Sequence, residues 1–182
     1  MKKNSIIPLA IGTLIGFPSL AFVIHYFLFD TTFILLFVSR TNLVLELIIG
    51  TISGVGFGYL AWLIISMPFM KSVLHKYKNL INTFELDVSL IFFVSFCAGF
   101  GEEILFRGVL QPHLGVWLTA IIFVAIHGYL NPKNWKISVY GIYLTIVIGI
   151  VGYLSQHFGL ITAIISHMMI DVILFYKLKE TN

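Results

Sequence analysis

The chain has 182 residues, of which 59% are hydrophobic and 10% charged, with a formal net charge of +3 and a mean hydropathy of +1.00. A soluble domain usually carries about 25% charged residues, so this chain cannot hide its apolar surface in one water-facing globule; the class is integral membrane protein. The small charge, confined to loops, argues against nucleic acid as a partner, and a single cysteine, Cys97, excludes an intrachain disulfide framework.

Lys2 and Lys3 precede an apolar stretch from Ile6 to Phe29. It imitates a secretory signal but is long for one and has no clear small-residue cleavage site, so it is read as an uncleaved first span. The apolar run 31–38 is too short to cross alone; it either continues the first helix past Asp30 or lies at the interface. A second span is expected at about 43–69. Within it Gly50, Gly54 and Gly58 form a smooth stripe for close helix packing, a pattern repeated weakly by Gly12 and Gly16. "KSVLHKYKNLINTF" follows, either as a basic amphipathic helix on the membrane surface or as a solvated loop. Four further spans are expected at about 88–111, 115–130, 137–154 and 159–176. The whole is an all-α polytopic bundle of about six spans, with an N-terminal region over 1–87 and a four-span core over 88–176.

Charges set the expected orientation. Lys2, Lys3, Lys71, Lys76, Lys78, Lys133, Lys136, Lys177 and Lys179 fall on one side of a six-span chain; Arg40 and Arg107 fall on the other. The positive-inside rule then gives N-in and C-in, as a multi-pass cell-membrane protein. Composition and compact length look bacterial.

Three of the expected spans carry ionisable groups at depth, where charge is expensive. "GEEILFRGVL" places Glu102, Glu103 and Arg107 in otherwise apolar sequence. Residues four apart share a helix face, whereas adjacent residues diverge by about 100°. Glu103 and Arg107 can therefore pair, and Glu102 points elsewhere without that partner. An unpaired carboxylate suits a general base; the competing reading is a buried ion pair with one stray acid. "FVAIHGYL" carries His127 one turn after Phe123. A lone histidine is more often a hydrogen-bonded core residue than a ligand. "SHMMIDV" sets His167 and Asp171 four apart on one face. That spacing suits a histidine oriented by a carboxylate, two metal ligands, or a pair of hydrogen-bond donors. At about 1.5 Å per residue, Glu102, His127 and His167 lie roughly 14, 18 and 12 Å from helix ends on one side. The groups can therefore meet at a similar level.

Together "EEILFRGVL", "FVAIH" and "HMMID" resemble the EExxxR, FxxxH and HxxxN/D motifs of the CPBP, or Abi, family of intramembrane proteases. The motifs occur in family order, and the resemblance covers about residues 88–176. The family contains CAAX-processing endopeptidases and bacteriocin-processing or immunity proteins. The resemblance implies an endopeptidase acting on a peptide or protein substrate in or at the membrane. By position, Glu102 and His127 would activate water, His167 and Asp171 would hold the oxyanion or a ligand, and Glu103 with Arg107 would brace the site. It leaves two cofactor readings: a zinc ion on Glu102, His127 and His167, or a metal-free glutamate–histidine mechanism, which is favoured. A non-proteolytic immunity or scaffold protein, binding a peptide in the same cavity, is the alternative function. The third motif ends in aspartate where CAAX enzymes typically have asparagine, and a carboxylate is a poorer oxyanion donor unless protonated. The charge count places the cavity nearer the external side, so the expected substrate is an exported peptide rather than a prenylated protein.

Overall fold

The computed structural model describes residues 6–180; Lys2 and Lys3, which entered the orientation count, lie outside the described residues. Helices α1 (Ile6–Leu28), α2 (Leu43–Ile65), α3 (Lys71–Asn82) and α4 (Val88–Glu103) come first. The last of these continues without a break as a π-helix, Ile104–Leu110, and a short turn, α5 (Gln111–Leu114). Three more follow: α6 (Val116–Ile126), α7 (Trp135–Phe158) and α8 (Leu160–Glu180). No strand occurs among the described residues. Helix starts are fixed by side-chain caps: Asn42 accepts from the Val44 amide at 2.8 Å, Asp87 from Leu90 at 2.8 Å and Asn134 from Ile137 at 3.3 Å.

Five stretches are long and apolar enough to cross a membrane: α1, α2, Val88–Leu114, α7 and α8. The expected span at 115–130 crosses in two pieces, a short helix and an extended segment. Its helix α6 has 11 residues, about 16 Å of rise against a hydrocarbon core of about 30 Å. A Schellman closure ends it, with the Tyr129 amide donating to the Val124 carbonyl at 3.2 Å and that of Gly128 to Ala125 at 2.9 Å. Gly128 takes φ +77, a left-handed conformation that a side chain resists. Residues 127–134 then carry the chain on to the end of the bundle where α2 finishes. There Trp135, opening α7, stacks on Phe69 with ring centroids 6.1 Å apart. The run 31–38 forms a 3₁₀ turn, Phe33–Phe37, with no buried residue, rather than an extension of α1.

Helix α8 is the spine of the bundle, packed on α2, α4 and α7, with α1 flanking α4. The stripe on α2 makes this possible. A Cβ built on Gly50 would sit 2.8 Å from the Thr162 carbonyl oxygen, and one on Gly58 2.8 Å from Ile173 Cβ. Ser53 Oγ donates to Ser166 Oγ at 3.2 Å across the same seam. Gly12 and Gly16, by contrast, face open space and serve no packing. Gly54→Val should therefore destabilise the bundle by about 1–3 kcal/mol, the usual range for overpacking. Gly56→Ala on the same helix, where a Cβ meets nothing within 4 Å, should leave the melting temperature unchanged. Thermal unfolding in one detergent compares the two.

The basic stretch is a helix: α3 buries Val73 and Ile81 against the bundle. Its lysines share one end of the molecule with Lys133, Lys136, Lys177 and Lys179, the end where α2 finishes and α7 starts. Arg40 lies at the opposite end, its guanidinium donating to the Gln156 carbonyl at 3.0 Å.

Candidate active site

Glu103 faces the core with no exposure. Its Oε2 lies 3.0 Å from Arg107 Nε, the pairing expected from their spacing. Arg107 also donates through Nη2 to the Ile148 carbonyl on α7 at 3.3 Å, and its guanidinium sits 5.0 Å from the Phe123 ring centroid. Both residues belong to the wide turn where α4 gives way to the π-helix, and Ile104 to Val109 are all buried there. A single π segment of this kind is frequent at functional sites. Glu102 points to a different face, and its Oε2 lies 3.4 Å from His127 Nε2.

His127 caps the C-terminus of α6. Its Nδ1 is 2.6 Å from the Phe123 carbonyl oxygen. A carbonyl only accepts, so Nδ1 carries the proton and donates. Nε2 is then the atom left to face Glu102. Phe123 holds the ring from one side, with centroids 4.4 Å apart, and turns its edge to His167 at 5.6 Å.

His167, on α8, differs in facing a carboxylate from each ring nitrogen, so both nitrogens carry a proton. Its Nδ1 donates to Glu103 Oε1 at 2.8 Å, and its Nε2 lies 3.7 Å from Asp171 Oδ2. Glu103 therefore serves two partners at once, one oxygen toward Arg107 and the other toward His167. Four helical segments meet through this carboxylate, Arg107 and Phe123: α4 with its π-helix, α6, α7 and α8. All six residues singled out from the sequence are in one cluster.

A cavity of about 310 Å³ opens beside them, lined by Glu102, His127, His167 and Asp171. Glu103 and Arg107 stand behind its wall and do not line it. The remaining lining comes largely from the basic end: Tyr77, Leu80 and Ile81 of α3, Tyr129, and Leu174 and Leu178 near the end of α8. The expectation that the cavity sits nearer the end opposite the lysines is corrected. The charge count misplaced its mouth, because α6 stops at His127 and leaves the space beyond to α3. The sequence reading also missed Tyr77 and Tyr129, which are hydrogen-bonded to each other. Burial pushes both phenols above their ordinary range, so they remain protonated donors at neutral pH. Tyr129 follows His127 by two residues in "HGYL", and that proximity was the available signal.

The donor set does not fit zinc as it is placed. Among the described residues no three His, Cys, Asp or Glu side chains converge as metal ligands. A zinc site asks for ligand distances near 2.0–2.2 Å around one point. Here Glu102 turns to His127, and His167 is held between Glu103 and Asp171.

Residues 84–173 match the family described as type II CAAX prenyl endopeptidase Rce1-like. A curated relative, the uncharacterized protein YpbD of Bacillus subtilis (strain 168), is 33% identical over 90 residues. That match covers 49% of this chain and 46% of the relative, so the chain spans about half the length of the curated protein it matches. No solved structure matches the chain.

Proposed function

We propose, for a chain whose residues 84–173 belong to the Rce1-like family of type II CAAX prenyl endopeptidases, that it is an intramembrane endopeptidase using water activated by Glu102 and His127. The observation that carries this reading is the pairing of Glu102 Oε2 with His127 Nε2 across 3.4 Å at the cavity wall. With Nδ1 already donating to Phe123, both facing atoms are acceptors. One water can donate a hydrogen to each, which leaves an oxygen lone pair free for attack.

The steps balance simply. The water oxygen bonds to the scissile carbonyl carbon while Glu102 takes a proton. Negative charge collects on the carbonyl oxygen, where the Nε2–H of the doubly protonated His167 ring is the available donor. The C–N bond then breaks, and the proton passes from Glu102 to the leaving amine. Glu103 never meets the substrate in this scheme; it fixes the His167 ring and is held by Arg107. Asp171 Oδ2 stands 3.7 Å from His167 Nε2, close enough to balance the ring's charge and too far to hold its N–H, which stays free for the oxyanion.

The substrate is a membrane-associated peptide that approaches from the lysine-bearing end. By the positive-inside rule that end is cytoplasmic, which removes the charge-count ground for expecting an exported peptide. Comparison of membrane and secreted peptides from cells carrying wild type or Glu102→Gln, by mass spectrometry, tests the function and names the substrate. A protease predicts a small set of peptides that persist in a longer form in the variant. A tripeptide missing after a prenylated cysteine in wild type would identify CAAX processing. Identical profiles with the cellular phenotype retained would favour the binding-only immunity or scaffold reading.

The metal-free mechanism predicts that protein stripped by chelation keeps its full cleavage rate. Elemental analysis of the same sample should find no stoichiometric zinc. Reversible loss of activity on chelation would contradict it.

A further inference from the structure

A peptide brings both carbonyls and amides into the active-site cavity, and each must exchange water for a partner. Glu102 and Asp171, as carboxylates, and Nε2 of His127 only accept, and the free N–H of His167 goes to the oxyanion. Much of the remaining lining is apolar, Leu144, Ile148, Ile170 and Leu174 among it. Of the described side chains that line the cavity, three more can donate a hydrogen bond: Tyr77, Tyr129 and Tyr140.

These phenols come from three separate elements, each held rigidly. Tyr77 is on α3, which Val73 and Ile81 fasten to the bundle at 2% and 7% exposure. Tyr129 is placed by its own backbone. Its amide closes α6 on the Val124 carbonyl at 3.2 Å, and its carbonyl lies so close to Gly141 of α7 that no Cβ would fit there. Tyr140, on α7, is buried. The Tyr129 ring centroid stands 5.9 Å from that of Tyr77 and 5.8 Å from that of Tyr140. It also lies 6.4 Å from the His127 ring, the two planes within 14° of parallel. The Tyr77 and Tyr129 hydroxyls bond to each other. That bond uses one of their two hydrogens, whichever oxygen donates, and the other is left to give.

We propose that Tyr77, Tyr129 and Tyr140 form the substrate-positioning wall of this cavity, donating to main-chain carbonyls of the peptide beside the scissile bond. The inference deepens the peptidase reading and rests on it. Donors fixed on three packed elements hold an extended chain without reordering themselves. The wall sets which bond faces the water held by Glu102 and His127. Main-chain carbonyls are common to every peptide, so the phenols fix register and leave the choice of side chains to the apolar lining.

The test separates holding from cutting. Glu102→Gln protein in bilayers is given a mixed-sequence library of N-palmitoylated peptides, and retained peptides are measured by native mass spectrometry. Glu102→Gln should retain library peptides. The same protein with Tyr77→Phe and Tyr129→Phe added should retain about three- to tenfold less, the loss of one neutral hydrogen bond. In otherwise wild-type protein the two substitutions should raise KM for the library by the same factor and leave kcat and the melting temperature unchanged, since phenylalanine keeps both rings in place. Tyr129→Phe alone should lose less, because the Tyr77 hydroxyl is then released to donate. If the double variant fails to fold, Tyr140→Phe decides by the same readouts. Equal retention with and without the phenol hydroxyls would overturn the proposal, leaving the tyrosines as a roof over the cavity. So would retention of no peptide by Glu102→Gln, or a fall in kcat with KM unchanged. Retention that depends on the phenols, in a wild type that cleaves nothing, would support the wall and sink the peptidase reading alone.

Discussion

Glu102→Gln should lower peptide cleavage by about 10²–10⁴-fold, the range for loss of a general base, without lowering the melting temperature. Glutamine keeps the shape of the side chain and removes its capacity to take a proton. Glu102 is 8% exposed, and its Oε2 faces only His127 Nε2, at 3.4 Å. Glutamine fills the same space and its amide can still donate to His127 Nε2, and Arg107 keeps its partner Glu103, so no buried charge is stranded. His127→Ala should cost a comparable factor, since its Nε2 is the second acceptor for the same water. The double variant should then be no slower than the worse of the two, because groups acting on one water are not additive. Measured kcat for the four proteins checks this. A double variant with the product of the two single effects would show that the residues serve separate steps.

Arg107→Ala should destabilise the protein by about 3–5 kcal/mol, the usual cost of breaking one side of a buried ion pair. The guanidinium balances Glu103, which has no exposure, and ties α4's extension to the Ile148 carbonyl on α7. Its removal leaves a carboxylate in a water-free core with only His167 to answer it. Replacing both partners, as Glu103→Leu with Arg107→Leu, should cost less than Arg107→Ala alone, because no charge is then stranded. The double variant should nonetheless be inactive, since His167 loses the acceptor that orients its ring. Thermal unfolding in one detergent measures the first effect and a cleavage assay the second. Equal melting temperatures for Arg107→Ala and Glu102→Gln would contradict the division of labour between the two glutamates.

Contacts within one helix were legible in the sequence. The i, i+4 rule placed Arg107 on Glu103 and Asp171 beside His167, and the structure has both neighbours at 3.0 and 3.7 Å. The glycine stripe of α2 was legible for the same reason. Contacts between helices were not. Nothing in the spacing says that Glu103 reaches across to His167, or that His127 turns Nε2 rather than Nδ1 to Glu102. The π-helix was hidden because its i→i+5 ladder leaves no residue signature. The break in the span expected at 115–130 was hidden because "FVAIHGYL" reads as unbroken apolar sequence. The glycine after His127 was the overlooked stop signal. That error carried the second one with it, since the direction of the cavity depends on where α6 ends.

The central claim is hydrolysis by a water that Glu102 deprotonates, and isotope transfer tests it most directly. Purified protein is reconstituted in bilayers in ¹⁸O-enriched water and given membrane-anchored peptides. The products are weighed by mass spectrometry. Wild type should release fragments whose new C-terminal carboxylate carries one ¹⁸O, and Glu102→Gln, folded to the same melting temperature, should release almost none. Labelled fragments appearing at the same rate from Glu102→Gln would contradict the account.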